Sequence, residues 1–510
     1  MHHPPTSAEA ESALAAELRT AGPHLLPGYA AELPGTRAAV LTRLWRGLAH
    51  EPLPWITRRE QGREGLTLHL ADGRRLHGPH SDAYGTAACV TEVELDGAVY
   101  EHPAALMTAL SIPHGDAFAV ELDHSVASLA LSRADQPPLD VPSATWEWEQ
   151  RIVDGHPFHP SCRSRPGFSV AEQLAYAPEH RPVVELGLVA APEEACLVTG
   201  EWPYREAGRV LIPVHPWQAR HVLKDETLVG GAGVTAHPLM SLRTLADAEP
   251  GGPHIKTALS ARLTSAVRDI SVYSIATAAT VSAFLDSVAA RLDGLLHITR
   301  TLGAVTAHTP DLAAAVREAP EMYAADGERV VPVAALTMTG LPQSPSWMAE
   351  FTRLALTVCL RLLELGVALE AHGQNLLVVL SPSGAPTRLV YRDLADIRIS
   401  PARLTRHGIP APDLSGRLIT DDETTLRRKL LGSLITGTLG ATAGSTPALA
   451  AALHTGVRDV PRTPDLVALL EEPLPTKALT LMRLSPERPG DIWATVGNPL
   501  RTAHPHAPRL

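Results

Sequence analysis

The sequence predicts an α+β protein, on three observations. Two Asp-Gly pairs, Asp72-Gly73 and Asp96-Gly97, separate short alternating runs and read as tight hairpin turns. The middle third mixes strand-like runs at 183–190 (VVELGLVA) and 210–214 (VLIPV) with helical periodicity, clearest from Ser271 to Leu292. Further on, a long apolar helix from Trp347 to about Gly366 leads into two strands, 376–380 (LLVVL) and 388–392 (RLVYR), joined by a Ser-Pro-Ser-Gly-Ala-Pro turn.

In chain order, helices are expected from Ser7 to about Leu18 and from Arg37 to Leu48, then the two hairpins, then a helix from Ala117 to Leu131 whose apolar stripe is broken by Glu121, Asp123 and His124. The C-terminal part reads as helical and alanine-rich. No internal repeat, charged tail or long linker appears. The Pro-rich pieces near 136–142, 342–345 and 459–464 are the best seams, and they suggest regions 1–140, 141–345 and 346–510.

The 510 residues, 45% of them hydrophobic, supply enough material for a large core and more than one lobe. A formal charge of −11 argues against a broad footprint for nucleic acid or an anionic membrane surface, while leaving room for a local basic pocket. The four cysteines, Cys89, Cys162, Cys196 and Cys359, have no CxxC or zinc-ribbon spacing and read as reduced thiols. The N-terminal residues lack a signal-peptide pattern, and no run of eighteen apolar residues is present, so a cytoplasmic protein is expected. Lysine occurs at only four positions, 224, 256, 429 and 477, in a chain that otherwise uses arginine. A compact point charge and a planar fork are not interchangeable, so each lysine invites a question.

Four clusters carry chemistry. The first is Gly155-His156-Pro157-Phe158-His159-Pro160 with Arg163, Arg165, Gly167 and Phe168, running into the capping box Ser169 to Glu172. A loop with two His and two Arg at a helix N-terminus suits an anion such as phosphate. Rigid His-Pro turns with solvated arginines give the same letters, and a metal held by His156 and His159 would lack a carboxylate in the loop. The second, Ile212 to Gln218 (IPVHPWQ), reads as a strand ending in a turn that Trp217 and Gln218 pack and cap, with the role of His215 open.

The third cluster runs from Ser241-Leu242-Arg243-Thr244 to the stretch from Lys256 to Arg268, which includes Thr264. Cations among hydroxyls suit a triphosphate or a tricarboxylate, although a solvated helix face would look alike. The fourth is Glu370-Ala371-His372-Gly373-Gln374-Asn375, followed by the strand pair and Arg392, Asp393 and Asp396. An Asn before a hairpin and an Asp on its returning strand are spaced to hold Mg²⁺ over a nucleotide. Small-molecule kinases use a similar arrangement, but their catalytic loop carries an Asp base where this chain has His372 and Gln374.

In order, GHPxHP with R-x-R-x-GF, IPVHPWQ, SxRT, K-T-x-x-S-x-R-x-T-S-x-x-R, EAHGQN and RDLAD resemble the siderophore synthetases that work without a peptide-synthetase assembly line, typified by the aerobactin synthetases (IucA/IucC type). The resemblance implies a cupped hand with an N-terminal thumb (1–140), fingers (141–345) and palm (346–510). It implies an enzyme that uses ATP and Mg²⁺ to form an acyl adenylate from citrate or a citrate-derived or dicarboxylate intermediate, which an amine or hydroxyl then attacks. A kinase-like phosphotransferase is the alternative.

By motif, Ser241, Arg243, Lys256 and Thr264 would hold the phosphates, with His159 and Arg163 closing from the first loop. Glu370, Gln374, Asn375 and Asp393 would hold adenosine and metal, the metal falling to Asn375 and Asp393. Arg268 and His372 would grip the carboxylate, with Lys477 reaching into the same pocket. Lys256, Arg268 and His372 would act in catalysis. The family's first motif usually has Lys where this chain has Arg163, which keeps the charge and changes its geometry. The expected partners are small-molecule carboxylates and amines or alcohols, neither nucleic acid nor membrane, and a homodimer is the assembly to test.

Overall fold

The computed structural model describes residues 9–138, 140–224, 228–263, 266–488 and 490–502; at 232, 262, 263, 266–268 and 502 it describes backbone only. The helix expected from Ser7 is seen as Glu9–Ala21, with Ser7 itself outside the described residues. Leu26–His50 forms one helix, considerably longer than the 37–48 expected, with Pro34 inside it. It is held by burial rather than by propensity. Leu41, Leu44, Trp45 and Leu48 recur at helical spacing, all at most 1% exposed, and pack with the helix Gly115–Ala134.

Both Asp-Gly hairpins are present. Strands β1 (Ile56–Gln61), β2 (Leu66–Leu70), β3 (Arg75–Gly78), β4 (Val93–Leu95) and β5 (Ala98–Tyr100) make an antiparallel meander in that order, Gly73 and Gly97 taking the positive φ their turns need. One face of this meander and the two long helices enclose a core of their own. Beneath it, His102 Nε2 lies 3.1 Å from Glu11 and 3.5 Å from Asp123. His102 Nδ1 accepts the N–H of Ala104, so the proton sits on Nε2 and faces the carboxylates. The trio is a proton-bridged clamp between helices.

The middle of the chain builds a nine-stranded sheet among the described residues. Its strands are β6 (Val184–Pro192), β7 (Leu197–Gly200), β8 (Arg205–Glu206), β9 (Arg209–Val214), β10 (Leu228–Pro238), β11 (Thr244–Asp247), β12 (His254–Thr257), β16 (Thr301–Thr306) and β17 (Ala313–Arg317). They lie in the order β7-β16-β17-β12-β11-β10-β6-β9-β8. The stretch after Lys256, for which a helix face was weighed, is extended instead: β12 is followed by a hairpin of β13 (Leu259–Leu263) and β14 (Ala266–Arg268). The helix Val272–Ala289 packs on β7 and β16. With the turn that follows, it is long and apolar enough to cross a membrane by length and composition, at a mean hydropathy of 1.3.

A third layer joins β15 (Leu296–Ile298), β18 (Arg329–Pro332), β20 (Leu376–Leu380) and β21 (Pro386–Tyr391) in the order β15-β21-β20-β18. The short pair β19 (Val367–Ala368) and β22 (Arg398–Ile399) and the pair β23 (Leu474–Lys477) and β24 (Trp493–Val496) complete the strands. Against this sheet lies the helix Pro345–Leu365, capped by Ser344 and stopped by Gly366 at φ 113°. Every side chain of β20 is buried, as its unbroken apolar run requires. The largest core runs from this sheet through the C-terminal helices to Val496.

Candidate functional site

The site lies where the nine-stranded sheet meets the β20/β21 hairpin. Register sets the sheet side: Thr244 pairs with Lys256, and His254 with Arg317, so alternation brings His254, Lys256 and Arg317 to one face. On the hairpin side Leu376 pairs with Tyr391, and the Arg392 N–H donates to Asn375 O at 3.0 Å. That register sets Asn375 one residue from Asp393. Asp393 itself has φ 67°, a left-handed backbone that is uncommon for a side chain other than Gly and that turns the chain at the end of β21.

Lys256 Nζ donates to both Asp393 oxygens at 2.8 Å, and Arg317 Nη1 stands 3.9 Å from Asp393 Oδ1. Beside them Arg392 pairs with the buried Glu149 at 2.7 Å and donates to Gln374 O through Nε and Nη2. Arg243 adds its charge to both Lys256 and Asp393, while its Nη1 donates to Asp269 O. Four cations thus stand around two carboxylates. The surplus is positive and largely desolvated, the condition under which a polyanion is held most strongly. Burial brings the Lys256 ammonium down to about 7, against the pull of Asp393 and with Arg243 and Arg317 pushing the same way. Burial opposes ionisation of Asp393, yet Lys256 and Arg317 outweigh it and hold that carboxyl below its ordinary range.

A second ion-pair group adjoins the first. Glu370 Oε1 takes Lys477 at 2.9 Å and Lys429 at 3.4 Å; Lys429 also meets Asp396 at 2.6 Å, and Lys477 meets Asp491 at 3.0 Å. Burial would raise the Glu370 carboxyl, but Lys477, His372 and Lys429 together bring it down. Burial lowers the His372 imidazole, whose other listeners are Glu370, Lys477, Asp393 and Lys429, so His372 sits between the two groups and is neutral. Three of the four lysines in the chain therefore converge here, Lys429 being one whose role no motif assigns.

The loop is fixed from behind. The π-helix Gly432–Leu439 offers Ser433 Oγ to the Ala371 N–H at 2.8 Å, and Thr438 Oγ1 donates to Ala371 O at 2.7 Å. Gly373 lies against Ala334, 3.0 Å from where a Cβ would stand. A larger residue would shift His372.

The other motif residues are placed as follows. Ser241 Oγ accepts the Thr244 N–H at 3.1 Å, closing the turn before β11 at Leu242, which has φ 63°. Arg163 is turned into its own lobe: its guanidinium donates to Val153 O and Ile152 O and stands 3.4 Å from the fully buried Glu179, which Arg165 also engages at 2.7 Å. That geometry makes Arg163 and Arg165 a support for the loop rather than arms toward the Lys256 pair. His159 is buried and its Nδ1 accepts the Ser161 N–H at 3.2 Å. Thr264 lies outside the described residues; Arg268 is described as backbone in β14, paired with Leu259. His215 caps the helix Pro216–His221, Trp217 donates to Gly167 O, and Gln218 bridges Ser260 and Asp311, so this motif ties strands together.

Arg317 and Glu149 stand in no motif of the sequence, and Arg392 and Lys429, though named there, have no role assigned from it. Arg317 ends a run of alanines and a valine, and its one signal is a charge at an alternating position of a buried strand.

Comparison with known proteins agrees with this architecture. Residues 144–338 match the model of the IucA / IucC family, and residues 345–492 match that of the ferric iron reductase FhuF-like transporters. A citryl-spermidine/3,4-dihydroxybenzoyl-citryl-spermidine:spermidine ligase of Bacillus anthracis is 25% identical over 309 residues, which is 48% of this chain and 50% of that protein. The chain thus spans about half the length of the curated relatives it matches. Among solved structures, the petrobactin biosynthesis protein AsbB of Bacillus anthracis superposes with a TM-score of 0.79 at 19% identity, covering 94% of this chain and 98% of that one. The ATP-bound aerobactin synthetase IucA from a hypervirulent pathotype of Klebsiella pneumoniae gives 0.70 at 19% identity, over 91% and 99%. The ordered motifs, the family match across the strands that carry Lys256 and Arg317, and a fold shared along nearly the whole length lead to one conclusion: residues 144–338 are similar to the IucA/IucC family, and the chain has the fold of siderophore synthetases.

Proposed function

We propose that this protein is an ATP-dependent ligase of siderophore biosynthesis in the cytoplasm, which adenylates a carboxylate of citrate or a related polycarboxylate and condenses it with an amine or alcohol. The observation that carries the reading is the surplus of buried cations around Asp393. A carboxylate attacking an α-phosphate meets anion repulsion, and Lys256, Arg243 and Arg317 are set to offset it.

In the first half-reaction a carboxylate oxygen of the substrate bonds to the α-phosphorus, and the bond to pyrophosphate breaks. Lys256, protonated, and Arg317 neutralise the phosphate oxygens and the leaving group. Ser241 and Arg243, with Thr264 and His159, are assigned to the phosphates, and Glu370 and Gln374 to the adenosine. Arg268, His372 and Lys477 orient the carboxylate. In the second half-reaction the nucleophile bonds to the acyl carbon and AMP leaves; neutral His372 is suited to take the proton the nucleophile loses.

Asp393 and Asn375 fit Mg²⁺, since one carboxylate and one amide oxygen at the same hairpin end match an ion that takes few protein ligands and fills the rest from phosphates and water. When bound it would supply further charge neutralisation of the phosphates. The kinase alternative is not kept: the relatives are named synthetases and ligases, and His372 and Gln374 stand where that chemistry needs an acidic base.

The test is turnover with ATP, Mg²⁺, a panel of carboxylates and hydroxylamine as nucleophile. Pyrophosphate and AMP are expected with a polycarboxylate; ADP as the product, or no nucleotide turnover across the panel, would contradict the reading.

A further inference from the structure

The helix Leu26–His50 carries two arginines three residues apart, Arg43 and Arg46, that no motif accounts for. Both are buried, at 7% and 6% exposure. Among the described residues neither has a carboxylate within ion-pair distance. Arg43 donates to Cys162 Sγ and Asp154 O, and Arg46 donates to Ala83 O through Nε and lies 4.1 Å over the Phe158 ring. Most of the donors of the two forks therefore remain for something else. Asp154, an acid lining the same cavity, is held bidentately by Arg133 at 2.9 and 2.7 Å, and Glu51 and Asp82 act on Arg46 without an ion pair.

The two guanidinium groups line a cavity of about 60 Å³ with Thr42, Thr86, Asp154 and Pro157. That is room for about two waters, or one carboxylate head. His156, adjacent in sequence to the lining residue Pro157, feels the charges of both this cavity and the His372 loop. Its imidazole is exposed, its Nδ1 accepts the Phe158 N–H at 3.2 Å, and the charges of His372, Arg43, Arg46 and Lys477 all bear on it. The first sequence motif thus stands between the cations of the N-terminal region and the loop that carries His372.

Resting on the adenylation reading, we propose that Arg43 and Arg46 form a specificity subsite for a second carboxylate of the substrate, one that is not activated. Planar forks suit a carboxylate in two-point contact, and a buried pair without acidic partners is matched by an anion that arrives with the substrate. The subsite makes the enzyme select polycarboxylates over monocarboxylates.

The experiment measures pyrophosphate release by the full chain with ATP and either citrate or acetate, for the unaltered protein, Arg43→Gln, Arg46→Gln and Arg46→Lys. The expected result is a KM for citrate at least tenfold higher in Arg43→Gln and Arg46→Gln, partly recovered in Arg46→Lys, with the KM for ATP and the kcat near those of the unaltered protein. Acetate turnover should be poor and unaffected. An unchanged citrate KM, or a KM for ATP that rises instead, overturns the proposal, the latter assigning the anion to the nucleotide. Calorimetric titration with citrate alone separates this proposal from the reaction. Binding to the unaltered protein that is lost in Arg46→Gln supports the subsite even with no turnover, and no binding to the unaltered protein overturns it. Arg46→Lys, which keeps the charge over Phe158, covers the case in which Arg46→Gln does not fold.

Discussion

At the scale of residues, the account turns on Lys256. Replacing it with alanine should reduce adenylate formation by about 10²–10³-fold, the usual consequence of removing one preorganised charge partner of a transition state, with far-UV circular dichroism unchanged. Activity near that of the unaltered protein would contradict its assignment. Its pH dependence follows from burial: the ammonium titrates at about 7 in the free protein, so kcat/KM for ATP should fall as pH rises through that region. Saturating polyanion favours the charged form, so the same limb in kcat should lie at higher pH. A kcat/KM profile flat to pH 9 would contradict this account. Lys256, Asp393, Glu370 and Lys477 were legible because each sits in a short motif with rare chemistry. Arg317 and Glu149 were not, because their letters are ordinary and only the fold brings them together, while Arg392 was visible in its motif but its partner Glu149 was not.

At the scale of elements, propensity and packing disagree in instructive places. The helix Leu26–His50 contains Pro34 and Gly35, which in isolation break a helix, and the reading from Arg37 onward stopped where local signals did. Burial of Leu41, Leu44, Trp45 and Leu48 carries the helix through. The stretch from Lys256 to Arg268 has helix-compatible letters but its described residues lie in strands: β12 is held between the preceding β11 and the distant β17, and β13 pairs back with β14. The two Asp-Gly hairpins, whose signal is entirely local, were read correctly.

One glycine tests how these elements dock. A Cβ on Gly47 would stand 2.0 Å from Thr480 Oγ1 and 2.9 Å from Thr480 Cβ, and Thr480 is fully buried. Gly47→Ala would gain about 1 kcal/mol from helix propensity, but the overlap is with a packed side chain and costs about 1–3 kcal/mol or more. The net expectation is a loss of stability, read as a lower urea midpoint. An unchanged or higher midpoint would mean that the contact between this helix and the C-terminal segment yields readily.

At the scale of the whole molecule, the fold places cations from the middle sheet, a carboxylate hairpin from the third layer and lysines from the C-terminal helices and strands around one cleft. Motif order along the chain anticipated that gathering. It could not anticipate the nine-stranded order, half of whose neighbouring pairs are not consecutive in sequence, nor that the helix of Arg43 and Arg46 lies against the loop of Phe158 and Cys162. The central claim is that the substrate carboxylate attacks the α-phosphorus. It is tested most directly by following oxygen: with carboxylate-labelled oxygen-18 citrate, ATP and hydroxylamine, the account predicts one labelled oxygen in the AMP released and none in inorganic phosphate, whereas label in inorganic phosphate, with ADP as the product, would contradict it.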